Sequence, residues 1–103
     1  MKDILSPAAP GSLMRSVLID EPGQYRISRR DAELYSVQIP SCGDFAKMTI
    51  RTGSGRPVFM MPSVFTGSFW LSAGCEDGIT VDLVSLSTAT VQINFRERDR
   101  VIG

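Results

Sequence analysis

The chain has 103 residues, 43% of them hydrophobic and 21% charged, which is enough apolar material for one core and too little length for two. Its 11 cations balance its 11 anions, leaving no basic field for nucleic acid or an anionic membrane surface. Histidine is absent, so Ser-His-Asp and Cys-His catalytic sets, imidazole bases and histidine-rich metal sites are excluded at the outset.

Met1-Lys2-Asp3-Ile4-Leu5 runs straight into Ser6-Pro7-Ala8-Ala9-Pro10-Gly11. No apolar run of the length of a secretory leader core follows the positive charge, so synthesis in the cytoplasm without a signal peptide is expected. Residues 1–12 are predicted to form an extended arm, because prolines, glycine and small residues pack no core. The arm either frays or docks on a neighbouring subunit, and Pro7 and Pro10 are its candidate interface residues. Residues 13–103 are expected to form a single β-sandwich domain.

Strands are read from apolar residues that recur every second position. Leu13 to Ile19 is the first, and Pro22-Gly23 suits the centre of a type II turn into a second over Gln24 to Arg29. Tyr35, Val37 and Ile39 alternate with Ser36 and Gln38, which predicts one buried and one exposed face. Ala46, Met48 and Ile50 alternate in the same way with Lys47, Thr49 and Arg51. Cys42-Gly43-Asp44 separates these two strands. Cys42 and Cys75 belong to no Cys-x-x-Cys pair, so they read as buried thiols, with a disulfide requiring an oxidising compartment.

Thr52-Gly53-Ser54-Gly55-Arg56 is glycine-rich and ends in a cation. It lacks the spacing of a phosphate-binding loop and the helix that follows one, and reads as a hairpin loop. Strands are next expected over Pro57 to Met61 and Val64 to Leu71. In the second, alternation places Phe65, Phe69 and Leu71 on the core face and Val64 and Trp70 on the other. Trp70 is therefore a candidate anchor for a protein partner or a stacking platform for a sugar, with Tyr25 or Tyr35 beside it, unless strand curvature tucks it into the core.

Glu76, Asp77 and Asp82 gather near Asp77-Gly78, which is predicted to form a tight hairpin turn. Paired carboxylates can hydrolyse glycosides and clustered ones can hold calcium. Asp77 is already explained by the turn, and the spacing matches no calcium loop, so no catalytic residue, metal or cofactor is expected. Ile79, Val81 and Leu83 form the next strand, and Ser85-Leu86-Ser87 separates it from the last. There Ala89, Val91, Ile93 and Phe95 alternate with Thr90, Gln92 and Asn94. Arg96-Glu97-Arg98-Asp99-Arg100 alternates in sign near the C-terminus; if extended, it points Arg96, Arg98 and Arg100 to one side as a candidate subunit contact or as a solvated, aggregation-blocking edge. Nine arginines against two lysines also tilt towards an interface, since the guanidinium is weakly hydrated and pairs with two hydrogen bonds.

About eight short strands with turn residues between them predict an all-β fold, an antiparallel β-sandwich of jelly-roll type, ahead of a closed barrel. Residues 64–98, with Phe65-Thr66-Gly67-Ser68-Phe69-Trp70-Leu71, Ile79-Thr80-Val81-Asp82 and Thr88 to Arg98, resemble the small β-sandwich virion structural proteins of tailed bacteriophages. No motif defines that group, so no functional residue is carried over. The resemblance implies a non-enzymatic structural subunit of a capsid, neck or tail, located in the virion, that forms homo-oligomers or binds larger virion proteins. A carbohydrate-binding module or receptor-binding fibre tip is the alternative, with a glycan as partner; nucleic acid and membrane are not expected partners.

Overall fold

The computed structural model describes residues 2–3, 15–42, 46–85 and 89–97. These form nine strands and no helix: β1 (Lys2–Asp3), β2 (Arg15–Ile19), β3 (Gly23–Ser28), β4 (Ala32–Cys42), β5 (Ala46–Thr52), β6 (Pro57–Met61), β7 (Gly67–Cys75), β8 (Ile79–Ser85) and β9 (Ala89–Glu97). They make two layers, a five-stranded sheet in the order β1-β3-β8-β5-β6 and a four-stranded sheet in the order β2-β9-β4-β7. Every pairing is antiparallel except the two-residue β1, which runs parallel to β3.

The pairings are nested. The outermost of the eight longer strands pair with each other, β2 with β9; then β3 pairs with β8, β4 with β7 and β5 with β6. One antiparallel ribbon has thus been wrapped into two sheets, and β4·β9 and β5·β8 seal the wrap. This is the jelly-roll form of the β-sandwich. The residues of the predicted Pro7 and Pro10 arm lie outside those described, apart from the β1 backbone.

Side-chain parity puts the core where alternation predicts. Met48 and Ile50, then Ile79, Val81 and Leu83, face Val91, Ile93 and Phe95 across the sandwich, all of them almost fully buried. Removing these side chains from water supplies the main stabilisation, about 1.5–3 kcal/mol for each large one. Neither cysteine is in a disulfide. Cys42 donates to the Val64 carbonyl at 3.0 Å, and burial pushes the Cys75 thiol pKa up, which keeps it protonated and unreactive.

The structure corrects four local expectations. Tyr35 does not share a buried face with Val37 and Ile39: the register shifts between Leu34 and Ser36, so Ala32 and Leu34 point inward before the bulge and Val37 and Ile39 after it. Tyr35 is left half-buried, its hydroxyl donating to Glu33 Oε2 at 3.0 Å. Pro22-Gly23 is not the centre of a type II turn, since Gly23 has φ 151° and already pairs with Leu83 in β3. Asp77-Gly78 is not a hairpin turn, because β7 and β8 lie in different sheets; it is a corner between layers. Only β5 and β6 are chain neighbours that pair, and Gly53-Ser54-Gly55 is their hairpin loop, as expected.

The fourth correction concerns Phe65. The strand begins at Gly67 instead of Val64, and Val64 turns inward, its amide donating to the Ala46 carbonyl at 2.8 Å. Phe65 is thereby turned out, 57% exposed, while Phe69 and Leu71 keep their inward parity as partly buried residues packed on the core.

The corner at Gly78 and the hairpin loop at Gly53 touch. A Cβ on Gly53 would lie 1.9 Å from the Asp77 carbonyl oxygen, and one on Gly78, whose φ is +116°, would lie 2.1 Å from that of Ser28. Backbone cannot yield there as a side-chain tip would. Gly53→Ala and Gly78→Ala should each cost about 1–3 kcal/mol or more in urea unfolding. Gly74→Ala, where a Cβ meets nothing within 4 Å, should stay within about 0.5 kcal/mol of wild type.

Candidate functional site

The outer face of the four-stranded sheet carries a row of uncharged polar groups. Register aligns Ser16, Asn94, Ser36 and Trp70 across β2, β9, β4 and β7. Asn94 organises the row: its Nδ2 donates to Ser36 Oγ at 2.8 Å, and its Oδ1 accepts from Ser16 Oγ and from Gln92 Nε2 at 3.3 Å. These bonds explain how a polar residue on an outward position of a central strand is only 7% exposed. The next row is Leu18, Gln92, Gln38 and Ser68. Gln38, Ile39, Pro40, Gly67, Ser68 and Gln92 line a shallow depression of about 320 Å³, and Trp70 stands two residues along β7 from its wall.

Trp70 is 76% exposed. Strand parity settles its direction: β7 alternates exposed and half-buried positions from Ser68 to Gly74, and Trp70 takes an exposed one. Of its two proposed aromatic companions, Tyr25 is in the core, 4% exposed, with its hydroxyl donating to the Glu21 carbonyl at 2.7 Å. It cannot form a platform. Tyr35 is half-buried and held to Glu33.

A second feature lies where the two sheets end together. β6 and β7 are each the last strand of their sheet, and Phe59 of β6 meets Phe69 of β7 with ring centroids 5.7 Å apart. Phe65 packs edge-on against Phe69 at 5.3 Å. Met60, next to Phe59 in β6 but of opposite parity, is 61% exposed on the outer face of the five-stranded sheet. The open side of the sandwich is therefore aromatic and apolar, which sequence alternation did not reveal because Phe59, Phe65 and Phe69 come together only through the β6–β7 crossing.

The charged candidates are spent elsewhere. Arg56 reaches Glu76 by Nε–Oε1 and Nη2–Oε2 contacts of 2.9 Å each, and Nη2 also donates to the Gly74 carbonyl at 2.9 Å. In the glycine-rich loop the Gly53 amide already donates to the Glu76 and Gly78 carbonyls and the Gly55 amide to that of Thr52. The Gly53 and Gly55 amides are thus not on offer to an anion. The Asp77 amide donates to Asp31 Oδ1 at 2.9 Å, whereas Asp82 sits along β8 between Gln24 and Thr49, so the three carboxylates do not converge. Among the described residues, no three of His, Cys, Asp and Glu gather as a metal site would require. Arg96 is half-buried opposite Glu33; Glu97 takes the other parity and pairs with Arg15 at 2.8 Å. Arg98 and Arg100 lie outside the described residues.

Comparison with family models, with curated proteins and with solved structures finds no match for this chain.

The Arg56–Glu76 pair has a measurable signature. Arg56 hydrogen bonding, then the Glu76 backbone amide and Ser54, hold the Glu76 carboxyl at about 2, against an ordinary 4.5. A carboxyl lowered by folding stabilises above its unfolded value and loses that contribution as pH falls from 4.5 towards 2. The effect should be small because the pair is solvent-exposed. Carbon-detected titration should place the Glu76 midpoint near 2, and the thermal stability gap between wild type and Glu76→Gln should shrink across that acid window; an unchanged gap would contradict the assignment.

Proposed function

We propose that the chain is a non-enzymatic assembly subunit that works through protein–protein contacts, as a repeated component of a phage-like virion such as a decoration, neck or tail-associated protein. The observation that carries the reading is the open β6–β7 side, where Phe65 is 57% exposed over the partly buried Phe59 and Phe69, with Met60 and Trp70 exposed on the outer faces of the same two edge strands. Large apolar side chains exposed along two edge strands mark an interface, since an isolated domain gains nothing from them and risks aggregation. Aromatic residues and methionine are also the types enriched in interface centres. The virion setting follows from the resemblance of residues 64–98; the neutral charge balance and lack of histidine fit a part whose work is packing.

One observation favours a second reading. Trp70 beside a depression walled by Gln38, Gln92 and Ser68 combines an apolar ring face with neutral donors and acceptors, as a neutral saccharide requires. A glycan array decides between the two: the assembly reading expects no signal from wild type, and binding that disappears in Trp70→Ala would replace it with the saccharide reading.

Electron microscopy of the particle carrying this chain tests the assembly reading directly. Symmetry-related sandwich densities with the β6–β7 side against a neighbour are expected, and a β6–β7 side bare to solvent would overturn it.

A further inference from the structure

We propose that two copies of the chain pair edge to edge through β7, antiparallel about a two-fold axis at Leu71, joining their four-stranded sheets into one. The inference rests on the assembly reading and names a second copy as the partner.

The edges of this sandwich are not alike. The β3 edge is covered in part by β1 and carries Arg26. β6 is five residues long, begins at Pro57 and is followed by Pro62. β2 is also five residues and begins at Arg15. Short length, charge and proline are the usual devices that stop an edge from recruiting another strand. β7 has none of these three: it runs nine residues, Gly-Ser-Phe-Trp-Leu-Ser-Ala-Gly-Cys, with no charge and no proline, and although its register against β4 shifts at Leu71–Ser72, its own alternation stays regular from Ser68 to Gly74. Among the described residues it pairs only with β4. An edge left open in this way is suited to strand addition.

The sequence of β7 is complementary to itself reversed. Leu71 is its middle residue, so antiparallel pairing about Leu71 engages all nine positions of Gly67–Cys75. Trp70 then lies opposite Ser72 of the second copy, Phe69 opposite Ala73, and Ser68 opposite Gly74. Each large ring meets a small residue, and paired residues share a face because their parity matches. Centring on Trp70 instead would oppose the two indoles and leave two positions unmatched. About Leu71 the Trp70 rings sit diagonally across the axis, at a spacing that aromatic side chains bridge. Such a pairing is isologous and closes at two copies, so it does not propagate into fibres.

Charge placed at one pair of positions tests the register. Ser68 and Gly74 both point outward and are exposed, and a side chain at Gly74 has open space. In Ser68→Glu/Gly74→Glu, like charges face each other across the axis and dimer dissociation should increase roughly tenfold or more. In Ser68→Glu/Gly74→Lys, each Glu faces a Lys and dimerisation should return. Sedimentation velocity should find wild type at twice 11.3 kDa, the first variant at the monomer mass and the second at the dimer mass, with circular dichroism unchanged throughout; the single variants Gly74→Glu and Gly74→Lys, which face Glu33 of the same copy, give the melting shift that is independent of the pairing and should leave wild-type dimerisation in place. The single tryptophan adds a probe, its emission shifting to the blue on dimerisation only. A wild type that stays monomeric at every concentration, a Glu/Glu variant that still dimerises, or a Glu/Lys variant that does not recover would overturn this pairing. None of these results touches the particle image, so the assembly reading stands or falls separately.

Discussion

The nested pairing of strands from opposite ends of the chain is the constraint on which the molecule depends. β9 is a central strand, flanked by β2 on one side and β4 on the other, and it delivers Val91, Ile93 and Phe95 to the core at essentially zero exposure. Until it arrives, β2 has no partner and β4 has only β7. Of the four nested ladders only the β5–β6 hairpin joins chain neighbours; each of the others closes a longer stretch of chain before any bond forms. That entropy is repaid by burial between the layers, and it makes a cooperative, comparatively slow-forming domain. Buried polar groups respect the same frame, because Asn94 and Ser36 are satisfied only when β2, β9 and β4 stand side by side.

Much of this was legible from a two-residue period. Met48 and Ile50, Val81 and Leu83, and Ile93 and Phe95 were assigned inward by alternation alone, and inward is where they lie. The same rule points Trp70 outward unless strand curvature tucks it in, and it is the most exposed large apolar residue described. Alternation failed where a strand is not regular. At Tyr35 a bulge changes parity in mid-strand, and at Val64 the ladder has not yet begun, so Phe65 exchanges faces with its neighbour. Asp77-Gly78 has the residues of a hairpin turn, but turn chemistry reports a reversal of the chain without saying whether the returning strand joins the same sheet.

The candidate surfaces were less legible because they are assembled from distant segments. Gln38, Ser68 and Gln92 meet through register across three strands, and Phe59 meets Phe69 across the gap between the sheets. Neither set has a spacing that a single segment displays. Charged residues show the opposite relation: Arg56, Glu76 and Glu97 stand out in the sequence at a loop, a corner and the last strand's end, and they serve to tie those parts together, Glu97 through Arg15. Uncharged surface is left in two rows of the four-stranded sheet, Ser16 to Trp70 and Leu18 to Ser68, and along the aromatic edge, and such surface is suited to desolvation and shape matching more than to electrostatic steering.

The bulge in the four-stranded sheet has a geometric outcome for anything built on it. Between the same two rungs, β9 takes one step from Phe95 to Asn94, β4 takes two from Leu34 to Ser36, and β7 takes three from Ala73 to Trp70. At roughly 3.4 Å per residue, path length grows towards the outer strand as it does across a folding fan. Each bulge bends its strand and increases the local twist, so the layer departs from a flat plate on its β4–β7 side while the β2–β9 ladder stays regular.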